Sequence, residues 1–231
     1  TELEMLGETR IWTKKSFGRL DEIHLVEATN CLCMRDKDLS LVVKQIGIPP
    51  LWQRPEGFCT LLFLILEQQV SLASARATFR RLVEYLKKRV TPDQFLTLQI
   101  SELQKLGFSR QKARYTRLLA EAIKDASLPV KDLGHYDDDY AKAMLMKVTG
   151  IGHWTADVYL MEALGRPDVW PVGDLALAVA VERVKLLSVR PNSKVLTQFG
   201  EQWRPFRAVA ARIFWNYYLN VIKKPSGGKS R

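Results

Sequence analysis

Two glycines separated by a single residue, Gly150 and Gly152, lie between two segments in which apolar residues recur at helical spacing. Such a pair permits a tight turn, and it removes side chains that would keep a phosphate group away from backbone N–H groups. The helix that follows would present its positive N-terminal end at the same place. The pattern is typical of a turn that binds a DNA backbone without reading its sequence. An ordinary helix–helix turn explains the two glycines as well.

A carboxylate, Asp174, follows 22 residues after Gly152. It lies in VWPVGDLALAV, after a loop that contains a proline and directly before an apolar helical run. An aspartate at this place could cap the helix, which is worth about 1 kcal/mol. It could also face a substrate and stabilise positive charge that develops in a reaction. The two interpretations are compatible, because a carboxylate has two oxygens.

The elements that must position these residues are predicted to be helices. Apolar residues recur at helical spacing in LLFLILEQQVSLASARATFRRLVEYLKKR, ARYTRLLAEAIKD and RAVAARIFWNYYLNVI. Glycine and proline breaks leave about eight helices. Only IWTKKSFGRLDEIHLVEA near the N-terminus could hold a short strand instead of a helix lead-in. We expect an all-α fold of two helical lobes with a cleft between them.

The composition is that of a globular protein with a polyanionic partner. The chain has 231 residues, of which 47% are apolar, and a formal net charge of +10. This charge favours a partner such as nucleic acid, although a solvated basic face would give the same number. The final segment, KKPSGGKSR, is basic and is predicted to be disordered. We therefore expect one folded domain over residues 1–222 and a tail over residues 223–231.

Metal, membrane and secretion functions are not indicated. The longest apolar run, Leu61 to Leu66, is far too short to span a bilayer, and the N-terminal sequence is acidic and polar. We expect a reduced protein inside the cell, in the cytoplasm or nucleoid of a bacterium or in the nucleus of a eukaryote. Neither the cysteines nor the histidines have metal-ligand spacing: Cys31, Cys33, Cys59, His24, His135 and His153.

Several ordered motifs together resemble one known family. LMKVTGIGHWTADV followed by VWPVGDLAL is similar to the hairpin and the aspartate loop of the HhH-GPD superfamily of DNA glycosylases. Within it, the chain resembles the 3-methyladenine DNA glycosylase II (AlkA-like) branch, in a short form without the N-terminal β domain. GFCTLLFLILEQQVSLASARATFRRL, LQKLGFSRQKARYTRLLAEAI and WRPFRAVAARIFW agree with it, and the likeness covers about residues 36–218. It implies two helical subdomains, a hairpin over residues 145–166 and a cleft that binds DNA.

The resemblance also implies an activity. Members of this branch flip alkylated or otherwise damaged purines out of the duplex and remove them by hydrolysis in base excision repair. Asp174 matches the catalytic aspartate, which stabilises the positive charge on the deoxyribose. Trp154 stands where relatives with lyase activity carry a lysine that forms a Schiff base, and tryptophan cannot form that adduct. The resemblance therefore implies a hydrolase without lyase activity.

The same resemblance implies roles for further side chains. Trp154 and Trp215 match aromatic residues of the base pocket, where indoles suit a cationic purine, although either tryptophan could be part of the core. Gln69 matches the residue that wedges into the duplex where the target nucleotide leaves, and Gln68 could share that task.

Contacts with the DNA backbone are implied for residues at the hairpin and at the GFSRQKAR segment: Gly150, Gly152, His153, Thr155, Ser109, Lys112 and Arg114. Lys112 and Arg114 could equally be solvated. Hairpins of this family often hold a monovalent cation, Na⁺ or K⁺, through main-chain carbonyls, which here would be those of Thr149 or Ile151. No other cofactor is expected.

The implied partner is double-stranded DNA that contains damaged bases, bound by a monomer. Two alternatives stay open at this point. One is a glycosylase of the same superfamily that acts on deaminated or oxidised bases. The other is a DNA-binding protein that keeps the hairpin and has lost catalysis, which the presence of Asp174 argues against.

Overall fold

The computed structural model describes residues 18–87 and 89–223. Twelve α-helices account for most of these residues, with a 3₁₀ turn at Leu133–His135 and a π-helix at Tyr218–Ile222, and no strand occurs among them. The predicted all-α fold is confirmed for this part of the chain. The N-terminal segment that could have held a strand is helical from Glu22 onward, and its residues 11–17 lie outside the described residues. No described helix is long and apolar enough to cross a membrane.

The chain forms two compact units, which we name the terminal unit and the central unit. The described part of the terminal unit comprises residues 18–51, 166–170 and 176–223, and that of the central unit comprises residues 52–165, apart from 88, and residues 171–175. The terminal unit contains α1 (Glu22–Arg35), α2 (Lys37–Ile46), nearly all of α10 (Leu175–Val184), α11 (Ser193–Glu201) and α12 (Arg207–Tyr217). The central unit contains α3 (Phe58–Glu67), α4 (Leu72–Leu86), α5 (Pro92–Leu96), α6 (Ile100–Lys105), α7 (Arg110–Lys124), α8 (Asp138–Met146) and α9 (His153–Glu162).

The described helices outnumber the eight that the glycine and proline breaks predict. Helices α5 and α6 have five and six residues, too few to show an apolar period. Helices α1 and α2 are separated without a glycine or proline, because Asp36 ends the first and caps the second. Its carboxylate accepts hydrogen bonds from the N–H groups of Asp38, at 3.0 Å, and Leu39, at 3.3 Å.

Helix α3 is the centre of the central unit. Its sequence FCTLLFLILE is apolar on all sides, which is typical of a helix surrounded by other elements, and Leu61, Leu62, Leu64 and Ile65 are fully buried. Helices α4, α7 and α9 pack against it. Each such leucine contributes about 1.5–3 kcal/mol through burial. This packing holds the C-terminal end of α3, and the turn that follows it, close to α7 and α9.

The terminal unit has an aromatic core. Trp203 and Phe214 are buried with their ring centroids 5.1 Å apart, and Trp170 packs against Trp203 at the same separation. The guanidinium of Arg212 is fully buried and donates hydrogen bonds to the carbonyls of Leu51, at 2.9 Å, and Ala208, at 3.0 Å. Backbone carbonyls thus help to compensate the desolvation of this cation.

The predicted division into a domain over residues 1–222 and a tail over residues 223–231 stays a prediction. Lys223 is the one residue of that tail that the structure describes, and residues 224–231 lie outside the described part.

Candidate active site

Helices α8 and α9 form the predicted hairpin, joined by residues 147–152. The turn is held by its own backbone, since Ile151 N–H donates to the carbonyl of Val148 at 3.0 Å. An ion pair links the two helices, with Lys142 Nζ 2.6 Å from Oδ1 of the buried Asp157. A buried carboxylate is costly without such a partner. The pair therefore keeps the two helices of the hairpin in one arrangement.

Gly150 is required by the packing of the hairpin. Its φ of +101° lies in the left-handed region that favours glycine. A Cβ atom at this position would stand 2.3 Å from Cγ of Tyr115 on α7, so the ring occupies the space that a side chain would need. The fold alone therefore explains this glycine.

Gly152 is different, because none of the residues that the structure describes fills the space beside it. A Cβ atom there would have no neighbour within 4 Å, and the backbone conformation is extended. Gly152 is exposed and forms the N-cap of α9 without a side-chain hydrogen bond to the helix. The orphan N–H groups of this helix end are thus reachable from outside. His153, the first residue of α9, is also exposed.

The structure brings Asp174 and Trp154 together. The indole Nε1–H of Trp154 donates a hydrogen bond to Oδ2 of Asp174 at 2.8 Å, and both residues are half-buried. Asp174 stands directly before α10, as the sequence predicts, and its N–H donates to the carbonyl of Pro171 at 3.0 Å. The adjacent Gly173 is exposed. The carboxylate is therefore fixed by the second residue of the hairpin's second helix, at a place where solvent or substrate has access.

Trp215, the second tryptophan of the predicted base pocket, is half-buried on α12 of the terminal unit. Its role in a base pocket stays a prediction.

The two glutamines between α3 and α4 have different positions. Gln69 is exposed and has a φ of +57°, in the left-handed region that non-glycine residues seldom adopt. It borders a groove of about 310 Å³ that Ser109 and Gln111 also line. Gln68 is half-buried, and its Nε2 donates to the carbonyl of Gly150 at 2.9 Å and to Oγ1 of Thr155 at 3.0 Å. Gln68 is thus held by two hydrogen bonds within the protein, and its share in the wedge stays a prediction.

Two of the residues that are predicted to contact DNA phosphates have side-chain partners within the protein. Thr155 is 1% exposed, and its hydroxyl accepts the hydrogen bond from Gln68. The Nζ of Lys112 donates to the carbonyl of Leu66 at 2.6 Å, near the C-terminal end of α3, where a cation stabilises the helix. Burial lowers the pKa of this ammonium. The contacts of both residues with DNA phosphates stay predictions.

Three other polar residues of the GFSRQKAR segment lie at the surface. Ser109 caps α7, its hydroxyl accepting a hydrogen bond from the N–H of Lys112 at 3.1 Å, and Arg114 is exposed. Arg110 is exposed as well and was missed by the sequence argument. The sequence could have indicated Arg110 as well, because it precedes Arg114 by four residues and residues four apart share a helix face.

Comparison with known proteins agrees with this fold. Residues 62–205 match the family described as HhH-GPD superfamily base excision DNA repair protein. The chain is 28% identical over 184 residues to a Bacillus subtilis protein described as a candidate DNA-3-methyladenine glycosylase, a match that covers 77% of this chain and 64% of that one. It is 25% identical over 186 residues to the alkylbase DNA glycosidase-like protein mag2 of Schizosaccharomyces pombe, covering 78% of this chain and 87% of that one.

A solved structure shows the same fold. The 3-methyladenine DNA glycosylase Mag1 of Schizosaccharomyces pombe, in complex with abasic DNA, superposes with a TM-score of 0.78 at 24% identity, over 84% of this chain and 98% of that one. A helical hairpin next to an aspartate that precedes a helix is the arrangement of a helix-hairpin-helix DNA repair protein. The chain belongs to the HhH-GPD superfamily of base excision DNA repair proteins. It spans slightly less than two thirds of the length of its Bacillus subtilis relative.

Proposed function

We propose that this protein is a monofunctional DNA glycosylase that removes alkylated purine bases from duplex DNA by hydrolysis. Membership in the HhH-GPD superfamily supports base excision repair, and the names of the Bacillus and fission yeast relatives support alkylated bases as substrates. The observation that carries the proposal is the half-buried carboxylate of Asp174, held at 2.8 Å by the indole of Trp154 next to the hairpin.

The proposed reaction breaks the bond between C1′ of the deoxyribose and a purine nitrogen. The bonding electron pair leaves with the base, and positive charge builds up on the sugar. Asp174 stabilises this charge and orients the water molecule that adds to C1′; the water gives one proton to the Asp174 carboxylate, which releases it to solvent. An N-alkylated purine is cationic and needs little acid assistance as a leaving group. The products are a free base and an abasic site.

The residue at the hairpin supports the proposed absence of lyase activity. A lyase of this kind needs an amine that attacks C1′ and forms a Schiff base. The indole nitrogen of Trp154 is not nucleophilic, and its hydrogen is already donated to Asp174. The reaction should therefore stop at the abasic site.

We assign the contacts with DNA phosphates to residues that are exposed at the hairpin and at the start of α7. Gly152 and His153 at the hairpin, with Ser109, Arg110 and Arg114 at α7, are the exposed groups that we assign to the phosphate backbone. Gln69 is the proposed wedge, and Trp154 and Trp215 are the proposed aromatic residues of the base pocket.

A monovalent cation at the hairpin remains part of the proposal. The carbonyl of Val148 accepts from Ile151, and that of Gly150 accepts from Gln68. The carbonyls of Thr149 and Ile151 would be the ligands of the cation. A bound cation would add positive charge beside a DNA phosphate.

The proposal is tested by single-turnover base release from duplexes that carry 7-methylguanine, ethenoadenine or hypoxanthine, with and without alkali treatment. Wild type is compared with Asp174→Asn. We expect strand breaks that require alkali and that only wild type makes, while the binding of Asp174→Asn to the duplex is retained, because binding rests on phosphate contacts elsewhere. Strand breaks without alkali would contradict the monofunctional assignment, and near-normal release by Asp174→Asn would contradict the catalytic one.

A further inference from the structure

Three consecutive residues before Gln69 are each held by a different partner. The carbonyl of Leu66 accepts from Lys112, and the carboxylate of Glu67 accepts two hydrogen bonds from Arg54, both of 3.1 Å. The amide of Gln68 binds the hairpin. The turn is therefore rigid up to Gln68.

Gln69 is the first residue of this turn whose side chain is exposed. Its backbone is left-handed, with φ of +57°, and the residue lines the groove of about 310 Å³. A non-glycine residue keeps such a conformation only where the surrounding structure imposes it. The hydrogen bonds on the three preceding residues are part of that surrounding structure.

Gln68 is the one of these three residues that contacts the hairpin turn itself. Its Nε2 reaches the carbonyl of Gly150 in the turn and the hydroxyl of Thr155 in the first turn of α9. A single amide thus joins the exposed glutamine on one side to the proposed phosphate-binding turn on the other.

We propose that Gln68 is a positioning residue that couples capture of the DNA backbone by the hairpin to insertion of Gln69 into the duplex. The inference rests on the proposed function and goes beyond it, because it makes base extrusion dependent on a residue that touches neither the base nor the sugar. The coupling acts through the two N–H groups of one amide. A side chain of equal size without donors should fold and lose the coupling.

The test compares Gln68→Met, which keeps the size and removes both donors, with Gln69→Ala and with the double variant. Gln198→Ala, at an exposed position on α11, is the control. Base release in a single turnover is measured on two duplexes, one with the lesion paired and one with the lesion in an unpaired bulge. Fluorescence of 2-aminopurine next to the lesion reports unstacking in the same samples, whether or not the base is released.

We expect Gln68→Met to slow release of the paired lesion about tenfold, the effect of losing a hydrogen bond or two. Release from the bulge, where little extrusion is needed, should stay within about twofold of wild type. The double variant should be no slower than Gln69→Ala alone, because residues that act in series are not additive. Gln198→Ala should match wild type in every measurement.

A purely structural role for Gln68 would give a different result. Gln68→Met would then slow both duplexes equally, or its effect would add in full to that of Gln69→Ala, and either result overturns the inference. If Gln68→Met does not fold, Thr155→Val removes one acceptor at equal size and should give the same pattern more weakly. Failure of wild type to release any base would contradict the proposed function, whereas the 2-aminopurine signal would still test the coupling.

Discussion

The indole N–H of Trp154 lies 2.8 Å from Oδ2 of Asp174 and donates a hydrogen bond to it. The contact joins the second residue of α9 to the residue directly before α10. An aromatic residue that was expected only to stack on a base therefore also fixes the carboxylate. Since the carboxylate must face the sugar at one angle, this hydrogen bond is a direct link between the hairpin and the proposed chemistry.

Trp154→Phe should lower the rate of base release while leaving duplex affinity nearly unchanged. The ring remains, but the hydrogen bond to a charged group is lost, which is worth about 1.5–3 kcal/mol. We expect a loss of roughly tenfold to a hundredfold in the single-turnover rate. In an Asp174→Asn background the same substitution should cost little more. An equal loss in both backgrounds would show that Trp154 acts independently of Asp174.

Gly150→Ala and Gly152→Ala should separate folding from DNA binding. Gly150→Ala forces a Cβ into the ring of Tyr115 and keeps a φ of +101°, so we expect a loss of about 2 kcal/mol or more in the free energy of unfolding. Gly152→Ala meets no neighbour and should unfold like wild type, yet bind duplex DNA more weakly. Urea unfolding and fluorescence anisotropy on each variant check this pair, and equal effects on both quantities would refute it.

Lys112→Met and Arg114→Met should differ in their dependence on salt. Each phosphate contact that is lost reduces the slope of log affinity against log salt by about 0.9. Arg114→Met should show this reduction, whereas Lys112→Met should keep the wild-type slope and instead unfold more easily, because the carbonyl of Leu66 loses its ammonium partner. Duplex titrations between low and moderate salt distinguish the two. A reduced slope for Lys112→Met would instead show that the Lys112 ammonium contacts a DNA phosphate.

Asp36→Asn should reveal an acid-sensitive contact in the terminal unit. Burial acts to raise the pKa of Asp36, but hydrogen bonds from Lys185 and Trp203 outweigh it and hold the pKa below its ordinary value. A carboxyl with a lowered pKa stabilises the fold above its unfolded pKa, and that contribution disappears as the pH falls through the folded pKa. Asp36→Asn should thus lose about 3 kcal/mol near neutral pH. The difference from wild type should shrink below about pH 4, and a difference that is constant with pH would contradict the assignment.

Most of the fold could be predicted because it depends on local patterns. The 3.6-residue period of segments such as the one around α3 predicts helices directly, and glycines one residue apart predict the hairpin turn. Asp174 could be located for the same reason, since a residue's place at a helix start is visible from its neighbours in the chain. Short helices such as α5 were not predicted, because five residues are too few to show the 3.6-residue period of a helix.

The roles of adjacent or similar side chains could not be predicted, because they depend on partners that are distant in the chain. Gln68 and Gln69 are identical and consecutive, yet one binds a carbonyl 82 residues away and the other is exposed at a left-handed turn. Lys112 has the charge of a phosphate ligand, but its ammonium donates a hydrogen bond to a carbonyl 46 residues away in the chain. The sequence by itself determined the helices, the hairpin and the position of the catalytic candidate. Tertiary packing decided which polar side chains remain exposed, because a hydrogen bond inside the protein removes a donor from any external ligand.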